Sequence, residues 1–120
     1  MKVGSDLDET VGGDMTLKVG SDGSTTIGSD LSVTVGKNGA VTIGKKGAVK
    51  VGDVCSVQAK KVQIKADDEI SLKVGSASIT VKKSGDVEIK GTNIKVQGKG
   101  KVDVKANSML TLKGAQISQN

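Results

Sequence analysis

The sequence predicts an all-β repeat fold that completes its core with further copies of the same chain. Val or Ile followed by Gly recurs every eight residues from Val3-Gly4 to Val51-Gly52. A fixed period of this kind is typical of repeat architectures. The 120 residues include no Phe, Tyr or Trp, so the apolar side chains of one copy would form only a thin core. Frequent Val, Ile and Thr and the absence of Pro argue against disorder, which leaves oligomerisation as the expected solution.

Each eight-residue unit, or octad, starts at the Val or Ile and has glycine second. In Val33-Thr34-Val35-Gly36 the seventh position is apolar, the eighth polar and the first apolar. Alternation with period two places the seventh and first positions on one face of a short strand. Glycine then permits a corner, either through positive φ or through its missing side chain. The expected corner glycines are Gly4, Gly12, Gly20, Gly28, Gly36, Gly44 and Gly52.

The identical recurrence of the glycine favours a helical chain path over a hairpin meander, which needs turn signals at alternating ends. Such a path stacks strands about 4.8 Å apart around one apolar axis. From Ala59 the glycine register breaks, but apolar pairs continue at steps of seven to nine residues as far as Leu110/Leu112. We therefore predict a regular β-helix over residues 1–58 and a less regular continuation of the same β-helix over residues 59–120.

Apolar residues at the first and seventh positions, and their counterparts in the second half, are expected to line the axis. They are Val11, Val19, Ile27, Val33, Val35, Val41, Ile43, Val49, Val51, Ile79, Val81, Val87, Ile89, Val102 and Val104. The seventh position is polar at Glu9 and Thr25. Two interpretations stay open there: frayed or wall-facing first octads, or a partly polar axis that holds water or ions.

The sequence gives little support for a catalytic site or a metal-binding site. Without His, a Ser–His–Asp or Cys–His arrangement is impossible. The single cysteine, Cys55, is interpreted as a small buried filler, with an interchain disulfide or reactive thiol as the alternative. Aspartates recur every eight residues from Asp6 to Asp30, but Lys46 and Val54 take that position later, so solvated turns are favoured over calcium ligands. No enzyme activity, cofactor or metal site is predicted.

Charge is distributed unevenly along the chain. Residues 1–36 hold two lysines and six acidic residues, a net charge of −4, whereas residues 37–120 hold 16 lysines and seven acidic residues, a net charge of +9. Lysine pairs such as Lys45-Lys46 are interpreted as a solvated outer face. Nucleic-acid binding is not predicted, because the stacking aromatics and arginines that such proteins use are absent. Contact with anionic lipid head groups remains compatible with these lysines.

The octads, followed by Ala66–Asn120 with its motifs SLKVGSASITVKK, GDVEIKGTNI and KGAQISQN, resemble the C-terminal spike of VgrG proteins. These are the tip proteins of bacterial type VI secretion systems and are related to the central spikes of contractile phage tails. The resemblance covers essentially the whole chain. It implies a homotrimer in which three chains wind into an intertwined triple-stranded β-helix, a three-sided prism whose ladder partners come from other chains.

The resemblance also implies a function and partners. The expected function is a structural, non-enzymatic, membrane-piercing spike that acts on the target-cell membrane and carries a PAAR-repeat cap protein and effectors. The expected cap-binding tip consists of Leu110, Leu112, Gly114, Ile117, Ser118, Gln119 and Asn120. The family's N-terminal hub is not in this sequence, which opens inside the repeat, so we expect a truncated or engineered piece of a longer protein. Assembly is expected in the bacterial cytoplasm and delivery outside the cell or into a target envelope, without a signal peptide.

A second interpretation stays open, in which a monomeric β-solenoid serves as a binding or adhesion module. Thr10, Thr26, Thr34 and Thr42 share the eighth octad position and would form a polar column on such a solenoid. Lys18 interrupts that column. The mass of the protein in solution separates the two interpretations, because one requires a trimer and the other a monomer.

Overall fold

Hydrogen-bonded strands are confined to one stretch of the chain. The computed structural model describes all of residues 1–120 and contains three strands and no helix: β1 (Glu69–Val74), β2 (Ala77–Lys82) and β3 (Val87–Lys90). The prediction of an all-β chain is confirmed at this level. The chain divides into two units, Met1–Val51 and Gly52–Asn120.

The first unit, Met1–Val51, bends at the glycine of every octad. Each bend includes the residue that follows the glycine. The bends lie at Gly4-Ser5, Gly12-Gly13, Gly20-Ser21, Gly28-Ser29, Gly36-Lys37 and Gly44-Lys45. The backbone of this unit therefore follows the eight-residue period of its sequence.

The corner glycines have neither of the properties that usually require glycine within a chain. Only Gly75 and Gly85, both outside the octads, have positive φ angles. A Cβ atom added to any corner glycine would meet no other atom of the chain within 4 Å. In the single chain, these positions would accept alanine without strain or collision.

The first and fifth positions of an octad face each other across the bend. A Cβ atom on Gly23 would lie 3.4 Å from Cγ1 of Val19, and one on Gly39 would lie 3.6 Å from Cγ1 of Val35. A Cβ atom on Gly47 would approach Cδ1 of the first-position isoleucine in its octad to 2.5 Å. The first-position side chain is therefore partly covered by its own corner, which the alternation of the sequence does not reveal.

The second unit, Gly52–Asn120, places the three strands between two stretches of recurring bends. Bends precede the strands at Gly52-Asp53, Lys60 and Asp67-Asp68, and follow them at Thr92-Asn93, Lys99-Gly100, Asn107-Ser108 and Ala115. Successive bends on each side are seven or eight residues apart. The apolar pairs of the second half that lie outside the strands fall between these bends.

The strands form an antiparallel sheet in the order β1-β2-β3, which we call the meander (residues 69–90). The two-residue turn between β1 and β2 begins with Gly75 at a φ of 53°, the placement that a type II′ hairpin turn requires. The loop between β2 and β3 contains Gly85 at a φ of 95°. The N–H of Gly85 donates to the carbonyl of Lys82 over 3.0 Å, and the N–H of Lys82 donates to the carbonyl of Asp86 over 3.0 Å.

The meander differs from the expectation that every strand finds its ladder partners in other chains. Its ladder is closed within one chain, because Gly75 and Gly85 supply the positive φ angles that reverse the chain direction. The corner glycines of the octads have no such angle. Two kinds of glycine therefore occur in this sequence, one for reversals and one for bends.

No residue of the chain is buried. The accessible surface is 13,566 Å², whereas a compact monomer of this mass would expose about 6,000 Å² and its unfolded chain about 17,500 Å². A single copy therefore has no hydrophobic core of its own, whereas the composition predicts a thin one.

Candidate assembly interface

The meander carries all of its apolar side chains on one face. Between β1 and β2, Ile70 pairs with Val81 and Leu72 pairs with Ile79. On β3, Val87 pairs with Val81 and Ile89 pairs with Ile79, so two apolar rows cross all three strands. Because directly paired residues project to the same side of an antiparallel sheet, the rows form one continuous surface. This apolar face consists of Ile70, Leu72, Val74, Ala77, Ile79, Val81, Val87 and Ile89. It contains no ionisable residue.

Most of the apolar face is uncovered in the single chain, and only Ile70 at its edge is half-buried. Its central residues, Ile79 and Val81, are each 42% exposed, and Val74 at the end of β1 is 81% exposed. A groove of about 370 Å³ runs along one side of the face, between Leu72, Ile79 and Ile94. Exposed apolar side chains at this density on a regular sheet are typical of a surface that is covered in an assembly.

The opposite face of the meander is polar. Ser71, Thr80 and Glu88 form one row across the three strands, and Lys73, Ser78 and Lys90 form the next. A second groove, of about 420 Å³, lies on this side beside Glu69 and Lys82. The sheet is therefore amphipathic and has one face suited to water.

An ion pair on β3 belongs to this polar face. The Nζ atom of Lys90 lies 2.7 Å from Oε1 of Glu88. The hydrogen bond and charge of Lys90 hold the pKa of Glu88 below its ordinary value, and Glu88 raises the pKa of Lys90 in return. Both groups are exposed, so solvent screens the pair and it adds little to stability.

The single chain brings together only some of the residues predicted to line the axis. Ile79, Val81, Val87 and Ile89 share the apolar face of the meander. The axis residues of the first unit are set one octad apart by the bends and remain exposed. The axis residues of the last stretch, Val102 and Val104, are 51% and 66% exposed between two bends.

The seventh octad position is the most open of the predicted axis positions. Val41 and Val49 are 89% and 88% exposed, whereas Val11 and Val51 at the first position are 43% and 47% exposed. The difference arises because the corner covers only the first position. Seventh-position side chains therefore have the most surface to lose to a partner.

The predicted tip residues follow the bend at Asn107-Ser108 and are also uncovered. Leu110, Leu112 and Ile117 are 53%, 69% and 63% exposed. The chain bends once more at Ala115, ahead of the last of these. The three side chains make up the apolar part of the proposed tip.

Main-chain hydrogen bonding is confined to the meander and its flanks. Beyond the strand ladders, the bonds are the two at Lys82 described above and one from the N–H of Lys83 to the carbonyl of Asp68, over 2.9 Å. Residues outside 68–90 have no main-chain bond to another part of the chain. Folded proteins contain roughly one hydrogen bond per residue, so most of this chain still lacks its partners.

The other side chains that could bind a metal or react lie apart from one another. Cys55 is free and exposed in the single chain, at the fifth octad position, where the first-position residue approaches in other octads. No three acidic or cysteine side chains come close enough together to hold a metal ion. Ser84 donates a hydrogen bond of 2.7 Å from its Oγ to Asp86, which belongs to the β2–β3 loop.

Sequence reasoning missed the apolar face as a unit. Ile70 and Leu72 are one of the apolar pairs of the second half that lie outside the predicted axis, and neither Val74 nor Ala77 belongs to a predicted site. The signal was present in Gly75-Ser76, a two-residue turn between two six-residue strands, and in Gly85 shortly after β2. These turn signals are easily missed, because the apolar pairs around them keep a spacing close to the eight residues of the octads.

Comparisons with known proteins add no relatives. No protein-family model matches the chain, and a search of curated proteins finds no significant match. The chain also has no helix with the length and hydrophobicity needed to cross a membrane.

Proposed function

We propose that three copies of this chain form an intertwined triple-stranded β-helix that works as the membrane-piercing spike of a type VI secretion or contractile-tail machine. The observation that carries the proposal is that most of the main chain has no interstrand hydrogen bonds within its own chain. Outside residues 68–90, the main chain bends regularly every seven or eight residues but bonds to nothing in its own chain. A repetitive backbone with unpaired N–H and C=O groups is completed by strands from other copies.

The corner glycines support the same arrangement. Glycine costs roughly 0.5–1 kcal/mol relative to alanine in regular structure, so a repeated glycine needs a reason. The single chain supplies none, since φ is not positive and the space beside each corner glycine is empty. A neighbouring backbone that passes close to each corner would supply it.

A monomeric β-solenoid fits these observations less well. Its successive coils would hydrogen-bond to one another within the chain, and the structure contains no such coil-to-coil ladder. The column formed by Thr10, Thr26, Thr34 and Thr42 is the only feature that favours it. We therefore keep the solenoid as the second candidate.

In the proposed spike the protein performs no catalysis and needs no cofactor. Force is carried by interchain ladders and by an axis of Val and Ile, and the C-terminal residues form a platform for a PAAR-type cap and its effectors. The assignment to a secretion spike, as distinct from another trimeric β-helix, depends on the resemblance of the octads and of Ala66–Asn120 to VgrG spikes. Slow unfolding is expected, because intertwined chains cannot separate locally.

The mass in solution tests the proposal. Sedimentation equilibrium should give three times 12.1 kDa for the unmodified chain. Val35→Asp and Val81→Asp should each abolish the trimer, because three carboxylates would meet near one axis without counterions. Thr34→Asp, at the polar eighth position beside Val35, is the matched control and should leave the mass unchanged.

Two outcomes would contradict the proposal. A monomeric mass for the unmodified chain would favour the solenoid. A heat-resistant trimer of Val35→Asp and Val81→Asp would show that these side chains do not line the axis.

A further inference from the structure

We propose that the apolar face of the meander is the surface through which three copies of this chain first associate, and that it fixes the register in which the octads then wind together. The inference rests on the proposed trimer and adds an order of assembly to it. Its occupant is the same apolar face of two further copies.

The first reason is that the meander is the only part of a single chain with a closed ladder. All main-chain bonds within the chain fall between Asp68 and Lys90. A hairpin closes in roughly 1–10 μs, since its partners are near in sequence. An association between chains at micromolar concentration is slower by orders of magnitude. The meander can therefore present its face before the octads have found partners.

The second reason is that the most regular part of the octads defines its register only weakly. From Val33 to Val57 the seventh position is always Val, and from Val3 to Val51 each octad opens with Val-Gly or Ile-Gly. Within residues 33–57, sliding one chain by eight residues places valine on valine at the seventh position and Val-Gly or Ile-Gly on the same kind of pair, so these positions do not distinguish the two registers. Gly-rich repetitive strands of this kind are prone to such slips.

The meander, by contrast, occurs once in the chain. Its strands are six, six and four residues long, and the turns that connect them differ from every octad corner. Alignment of three apolar faces is therefore possible in one register only. The face carries no charge, so three copies meet without like charges opposed.

The third reason is continuity with the flanking chain. Bends at Lys60 and Asp67-Asp68 lead into the meander, and bends at Thr92-Asn93 and Lys99-Gly100 lead out of it at the same spacing. A separate protein on the apolar face would compete with the partners that these flanking segments need. Two further copies of this chain would cover the apolar face and also supply ladder partners for the flanking segments.

Refolding kinetics of the full chain test the order of assembly. The chain is unfolded in guanidinium chloride, diluted to a fixed micromolar concentration, and trimer formation is followed by size-exclusion chromatography of quenched samples. Ile79→Thr, at the centre of the apolar face, should slow trimer formation about tenfold or more. Ile43→Thr, the same exchange at an octad corner, should change the rate by less than about twofold and should instead speed unfolding of the finished trimer.

A milder pair guards against a variant that fails to fold. Val81→Thr and Val35→Thr keep the side-chain shape and branching while replacing a methyl group with a hydroxyl group. The same contrast between meander and octad is expected, with smaller changes in rate. If Ile79→Thr forms no trimer at all, this pair decides the outcome.

The possible results distinguish a failure of this inference from a failure of the proposed spike. An unmodified chain that remains monomeric overturns the proposed spike and the inference with it. A trimer whose formation is slowed equally by both members of each pair, or more by the octad member, overturns the inference alone. Slowing confined to the meander member supports it.

Discussion

Seven glycines occupy octad positions at which the single chain has no need of glycine. Their φ angles are not positive, and a Cβ atom would enter empty space. Alanine at such sites would normally stabilise a protein by about 0.4–1 kcal/mol through the unfolded state. In the proposed trimer, a neighbouring chain that packs against each corner would impose the steric requirement for glycine.

Valine in place of a corner glycine should disrupt assembly. Gly36→Val should destabilise the trimer by about 1–3 kcal/mol for each chain, because three side chains enter tightly packed corners at one level. Lys37→Val, one residue later on the outside of the bend, is the control and should have little effect. Thermal unfolding of both trimers measures the difference.

A Gly36→Val trimer as stable as the unmodified one would contradict close packing at the corners. The glycines would then serve only to permit the bend. Gly36→Ala provides an intermediate size, and its effect should lie between those of glycine and valine.

Residue patterns predicted some features of this chain and concealed others. The all-β character follows from the alternation of Val, Ile and Thr and is seen, whereas the absence of aromatics predicts a thin core where the single chain has none. The corner covering of the first position was not predictable, since Val19 and Gly23 meet only through the three-dimensional course of the bend. The trimer, its axis and its tip remain predictions, because their contacts lie between chains.

At the scale of elements, the chain combines two kinds of β structure. The octads contain bends without a ladder, and the meander contains a ladder closed within the chain. The identical recurrence of glycine argues against a meander in the octads but not in the second half, where Gly75 and Gly85 have positive φ angles. These two glycines also lie in turns between paired strands, whereas the corner glycines have neither property.

Hydrogen exchange should distinguish the two elements. In the monomeric variant Val35→Asp, slow amide exchange should be confined to residues 69–90, where the main chain is bonded. In the unmodified trimer, amides of residues 3–57 should become protected as well, by about tenfold or more, because they gain interchain partners. Exchange followed by proteolysis and mass spectrometry resolves the two regions.

Protection of the octads in the monomeric variant would contradict the interchain ladder. It would show that the octads bond within one chain, as a monomeric solenoid requires. Absence of protection in the meander would contradict its role as a preformed unit.

At the scale of the whole molecule, a proposed spike must hold its cap at one end. The apolar residues Leu110, Leu112 and Ile117 are exposed there, and a trimer would present each of them three times. The charge of the chain differs between its first 36 residues, at −4, and the remainder, at +9. In the proposed spike, the tip would bind its cap through a few uncharged side chains within a basic segment.

Binding of a PAAR-repeat protein tests the tip. Ile117→Asp should weaken binding about tenfold or more, which corresponds to about 1.4 kcal/mol, without changing the trimer mass. Thr10→Asp, which introduces the same charge far away in sequence, should bind as the unmodified trimer does. Isothermal titration calorimetry with the purified cap protein measures both.

Equal binding by Ile117→Asp and the unmodified trimer would place the cap elsewhere. If the unmodified trimer does not bind a PAAR-repeat protein at all, the C-terminal platform is wrong, although the trimeric β-helix could still be correct.

The uniform octad has a consequence for how such a rod changes in length. In the proposed trimer each octad adds about 4.8 Å of height, and the meander fixes alignment from outside the repeat. Insertion or loss of one complete octad would leave every side chain on its original face and every later residue in register. The proposed spike would therefore change length in steps of eight residues, and duplication or deletion of short coding segments would lengthen or shorten it while both of its ends stay the same.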